Sequence, residues 1–117
     1  MWRTVEVQMI LNDYQDMALL TADYNNEKDK FICGVLGLSG EASEVAEKVK
    51  KAIRKYGYDE FFIDTEELAH ELGDVLWYVS LLADCLDYKL SDIAKMNLDK
   101  LYDRKKRGVI KGEGDKR

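Results

Sequence analysis

With 117 residues, no proline and 46% hydrophobic content, the chain has room for one thinly cored domain, 1–117, and nothing in its composition forbids long helices. A net charge of −5 argues against a nucleic-acid groove, which needs surplus Lys and Arg against phosphates, but leaves small anions open where metals intervene. Two cysteines without CxxC spacing, an acidic amphipathic start and no membrane-length apolar run lead to the expectation of a cytoplasmic protein without membrane contact, its Cys33 and Cys85 reduced and in the core.

In chain order, Val5, Met9, Leu11, Tyr14, Met17, Ala18 and Leu20 follow a helical stripe, so the first helix is expected over 4–22. Asn25 and Asn26 mark a turn, and a second stripe from Phe31 and Ile32 through Val45, Val49 and Ile53 predicts a helix over 29–55. Gly34, Gly37 and Gly40 are poor helix formers, which implies either close backbone packing or a local break there. Gly57 stops this helix, and a loop runs to Ile63.

Asp64 or Thr65 caps the third helix, expected over 65–87, with Glu67 able to complete a capping box on Asp64. Leu72, Val75, Leu76, Val79, Leu82, Ala83 and Leu86 are read as its inward face, and Trp77, Tyr78 and Leu81 widen the apolar arc. An arc that wide needs cover on two sides, so a homo-oligomer, dimer or tetramer, is expected to complete the core. Ser91 is read as the cap of a fourth helix that ends near residue 106, leaving a tail, 108–117, with three glycines. The class is all-α, a bundle of four to five helices.

Glu41 and Glu44 stand three apart on the second helix, and Glu71 and Asp74 stand three apart on the third, so each pair projects from one helical face. Acids at this spacing are ordinarily a solvated face. Here they sit among Gly37, Leu38, Gly40, Leu72, Gly73, Val75 and Leu76, and no Lys or Arg lies within one turn of Asp74. Gathered together, each pair of unit charges at 4 Å would cost about 4 kcal/mol at an effective dielectric of 20, so a cation belongs between them. An all-oxygen set suits Mg²⁺ or Mn²⁺ better than zinc.

The segments GEASEVAEKVKK at 40–51 and EELAHELGDVLWYVSLLA at 66–83, with KMNLDKLYDRKKRG at 95–108, resemble the ExxE and ExxD signature and downstream block of MazG-type pyrophosphohydrolases, from about Tyr14 and Gln15 onward. The resemblance implies a helical bundle completed by a second subunit that hydrolyses a nucleoside triphosphate between its α and β phosphates. It implies Glu41, Glu44, Glu71 and Asp74 as catalytic metal ligands for Mg²⁺ or Mn²⁺, one of them also serving as general base. Asn97, Lys100 and Arg104 share a face of the fourth helix, and the resemblance sets such residues against substrate phosphates; the alternative is a basic helix end that complements its own dipole. Lys48 and Lys95 are weaker phosphate candidates.

Tyr78, one turn after Asp74, is either a phosphate-binding hydroxyl or a core tyrosine, and Trp77 is read as core or subunit interface. His70 is read as structural or exposed. The tail resembles a C-terminal extension of part of the family that lies near the nucleotide. Three other readings compete. A di-iron carboxylate bundle would need an ExxH in each half, and the second motif here ends in Asp74. A non-enzymatic helical interaction module and a phosphoribosyl-ATP-type hydrolase are the other two.

Overall fold

The computed structural model describes residues 8–59 and 62–108. They form four helices, and no strand occurs among the described residues: α1 (Leu11–Leu19), α2 (Glu27–Tyr56), α3 (Thr65–Cys85) and α4 (Leu90–Arg107). None is long and apolar enough to cross a membrane.

The ends of α2 follow from local chemistry. The Asn26 side chain accepts the Asp29 N–H at 2.8 Å, Glu27 and Asp29 lie in the first turn, and Arg54 and Lys55 lie in the last, where each sign complements the helix dipole. Gly57 leaves the helix at φ 86°, a conformation that favours glycine. At α3 the Asp64 carboxylate accepts the Glu67 N–H at 3.1 Å. The Glu67 side chain is drawn to Lys48. Asp87 at φ 62° turns the chain from α3 into α4, and Gly108 ends α4 in the left-handed region.

Two helix starts depart from the sequence reading. α1 begins at Leu11, with residues 8–10 outside any helix, and the expected residues 4–7 lie outside the described part of the chain. The apolar stripe therefore continues beyond the helix it resembles. At α4 the cap position belongs to Lys89, whose N–H donates to the Asp92 carboxylate at 3.0 Å, and Ser91 is already helical. The first free N–H groups of α4 are satisfied from α1: Gln15 Oε1 accepts from Leu90 at 2.8 Å and Asn12 Oδ1 from Ser91 at 2.9 Å. Gln15 Nε2 also donates to the carbonyls of Ser80 and Tyr88, so one buried side chain joins α1, α3, the turn and α4.

α2 runs as one helix through all three glycines, and two of them serve close packing. A β-carbon on Gly34 would come within 2.8 Å of Leu82 Cδ2, and one on Gly37 would overlap the Tyr78 ring. These contacts, with the Lys48–Glu67 ion pair further along, set α2 against α3 in a single antiparallel register. α1 and α4 pack on α3 and on each other, and neither touches α2.

The apolar core of the described chain is small: Ala18, Leu81, Ala83 and Leu90, where α1, α3 and the start of α4 meet. This corrects the inward face read for α3, since Leu72, Leu76 and Leu86 are exposed while Ser80 and Leu81 are fully buried. Cys33 is also exposed rather than in the core, and Cys85 is half-buried; both are free thiols.

Candidate metal centre and its clefts

The register of α2 against α3 determines which acids meet. One turn beyond Gly37 and one turn before Tyr78, Glu41 faces Asp74 and Glu71, and carboxylate oxygens of the three lie within 4.8 Å of one another. Glu41 and Glu71 are half-buried and Asp74 is exposed. Partial burial raises the pKa of Glu41, and the negative charges of Asp74, Glu71 and Glu44 raise it further.

Glu44 is not part of this three-way set. It is exposed, lies close enough to add to the charge on Glu41, and lines a neighbouring cleft of about 340 Å³ with Lys48, Lys51, Tyr56, Phe62 and Glu67. Lys48 reaches across from α2 to pair with Glu67, and its ammonium stands 3.6 Å from Glu71. Both carboxylates hold its pKa up, Glu67 most strongly.

Glu41 and Asp74 also line an open cleft of about 290 Å³ with Trp77 and Tyr78. The Tyr78 ring is wedged on Gly37, so its position is fixed by packing even though it borders the cleft. Trp77 meets Tyr78 edge to face at 5.0 Å and donates its indole N–H to Thr21 Oγ1 at 2.9 Å. Tyr14 of α1, to which the sequence reading gave no role, lies near enough to Asp74 that, after burial, the carboxylate's charge raises its pKa. The helical stripe placed Tyr14 on α1, but no local signal says which part of α3 it meets.

The helix-four candidates lie elsewhere. Asn97 is exposed, Lys100 half-buried and Arg104 buried, on a helix that makes no contact with α2. Lys95 is paired with Asp99 at 2.8 Å, and His70 is exposed, 4.0 Å from Glu66. The tail from 109 on lies outside the described residues.

Comparison with known proteins bears on this geometry. The family model for the MazG nucleotide pyrophosphohydrolase domain matches residues 34–109, a span that includes both acidic motifs and α4. The "Gene 37 protein" of Mycobacterium phage L5 is 51% identical over 86 residues, covering 70% of this chain and 72% of that protein. No solved structure matches.

Proposed function

The chain belongs to the MazG nucleotide pyrophosphohydrolase family, and from that membership we propose that it hydrolyses nucleoside triphosphates, NTP or dNTP, at the α–β bond to the monophosphate and pyrophosphate. The biological use consistent with this is nucleotide-pool house-cleaning. The observation that carries the reading is the convergence of Glu41, Glu71 and Asp74. Their all-oxygen donor set fits Mg²⁺ or Mn²⁺, and burial, followed by the negative charges of Asp74, Glu71 and Glu44, raises the pKa of Glu41.

In this reading Glu41, Glu71 and Asp74 hold the cation, and Glu44, one turn along, completes the ligand set. A divalent cation held there supplies positive charge for the phosphates and lowers the pKa of a water. A carboxylate of the four accepts the proton as the water oxygen bonds to phosphorus and the bridging P–O bond breaks, releasing pyrophosphate. Lys48, 3.6 Å from Glu71, would turn its ammonium to a phosphate oxygen, and Tyr78, which lines the cleft that contains Glu41 and Asp74, would offer its hydroxyl there.

We assign Asn97, Lys100 and Arg104 to phosphate binding through a homodimer or homotetramer, because α4 of one chain does not touch α2. One observation supports assembly: Phe31, Ile32, Val35 and Leu36 on α2 and Leu72 and Leu76 on α3 are 38–67% exposed. The whole chain, 1–117, is read as one such domain, with the 108–117 tail near the nucleotide.

Product analysis tests the reaction. Incubation with Mg²⁺ or Mn²⁺ and a panel of canonical and modified NTPs and dNTPs should yield monophosphate and pyrophosphate in equal amounts. Diphosphate and orthophosphate would contradict the bond assigned. Turnover of phosphoribosyl-ATP alone would move the chain to that branch, and no turnover on a broad panel would favour a binding module.

A further inference from the structure

Trp77 lines both the cleft that contains Glu41 and Asp74 and a second groove of about 390 Å³, lined otherwise by Met9, Tyr14, Met17, Ala18 and Thr21. Among the described residues, no charged side chain lines this groove. Its side-chain hydrogen-bonding groups next to Trp77 are already engaged. The Thr21 hydroxyl donates to the Ala18 carbonyl at 2.7 Å, and the Trp77 indole N–H donates to that hydroxyl at 2.9 Å and to the same carbonyl at 3.3 Å. Tyr14 lines the groove, and after burial the charge of Asp74 raises its pKa.

We infer that this groove receives the nucleobase of the substrate and selects it by packing and stacking rather than by hydrogen bonds to the base edge, an inference that rests on the nucleotide hydrolysis proposed above. A phosphate chain has no counter-charge among the described residues there, so it belongs at the carboxylate end, with its cation. A flat, neutral ring suits the other end. Trp77 and Tyr14 offer aromatic surface, and Met9 and Met17 offer flexible, polarisable side chains that adapt to different ring shapes. The volume falls within the range of about 300–1,000 Å³ usual for small-molecule sites.

Selectivity follows from this chemistry. An apolar pocket separates similar ligands by about 100-fold at most, whereas a site that hydrogen-bonds a specific edge reaches about 10⁴-fold or more. Bases of one ring size, adenine against guanine or cytosine against uracil, are therefore turned over with similar kcat/KM.

The test uses the full chain with Mg²⁺: kinetics on ATP, GTP, CTP and UTP, calorimetric binding of inorganic pyrophosphate, and oligomeric mass by sedimentation, for the unaltered protein, Met17→Asn and Met17→Leu. Met17→Asn should raise KM for every nucleotide about tenfold while pyrophosphate binding and mass stay as in the unaltered chain, and Met17→Leu, which keeps the apolar bulk, should restore KM. Four outcomes would overturn the assignment: an unchanged KM in Met17→Asn, an equal loss of pyrophosphate affinity, rejection of one base by about 10⁴-fold within its ring class, or a change of mass showing that a second copy covers the groove. Absence of turnover by the unaltered chain would instead overturn the reaction on which the inference rests.

Discussion

Gly37 lies flat against the ring of Tyr78, with no room between them for a β-carbon. That contact brings α2 close to α3 one turn before Glu41 and so fixes which acids Glu41 meets. Gly37→Ala should destabilise the chain by about 1–3 kcal/mol through overpacking, although alanine is the better helix former. Gly40, with nothing within 4 Å of its β-position, gives the contrast: Gly40→Ala should stabilise by up to about 1 kcal/mol. Denaturant unfolding of the two variants beside the parent checks both signs.

Gln15 bonds to the Leu90 N–H and to the carbonyls of Ser80 and Tyr88, and it is only 4% exposed. Gln15→Leu would leave those groups buried without their partner, at a cost of about 2–3 kcal/mol. The same melts should show this loss, accompanied by faster amide exchange at Leu90 and Ser91. Unchanged exchange there would mean that the start of α4 is held in some other way.

The raised pKa of Glu41 has a definite sign in stability. The folded chain favours the protonated acid, so this group's contribution is fully present below the ordinary glutamate range and is lost as pH rises through its elevated value. Without divalent metal, Glu41→Gln should therefore stabilise the protein at neutral pH and change little in acid. Mg²⁺ should reverse the balance, stabilising the unaltered chain at neutral pH by about 2.7 kcal/mol at a hundredfold excess over Kd and not stabilising the variant to the same degree. Melting temperatures across pH, with and without Mg²⁺, measure all four quantities.

Leu36 is 67% exposed, and Ile32 is 44% exposed on the same side of α2, turned away from Gly34 and Gly37. If a second copy covers this surface, Leu36→Asp should lower the oligomeric mass in sedimentation and remove the concentration dependence of the melting temperature that the unaltered oligomer shows. An unaltered mass would remove Leu36 from the interface.

Much of the fold is legible in the sequence because its signals are local. Periodicity, Asp64 and Gly57 place α2 and α3 to within two residues at their ends. The start of α4 was not legible, because its N–H groups are capped by Asn12 and Gln15, more than seventy residues away, and a rule based on neighbouring residues selects Ser91 instead. The same limit applies at the candidate site. ExxE and ExxD spacing gives two acidic faces, but the convergence of Glu41 with Glu71 and Asp74, and the position of Glu44 beside them, depend on helix register. Gly34 and Gly37 carry that register, and in the sequence they show only as glycines out of place in a helix. Exposure of Leu72 and Leu76 was equally hidden, because an apolar stripe does not report whether another element of the chain packs on it.

The most direct measurement is Mg²⁺-dependent release of pyrophosphate from a nucleoside triphosphate by the unaltered chain, Glu71→Gln and Asp74→Asn, each first shown to be folded. The expected result is turnover that needs the metal, yields monophosphate and pyrophosphate in equal amounts, and falls at least about a hundredfold in both variants, the scale of losing several kcal/mol of charge stabilisation. Metal-independent turnover, or full activity in either variant, would contradict the assignment of the carboxylate cluster as the centre of the reaction.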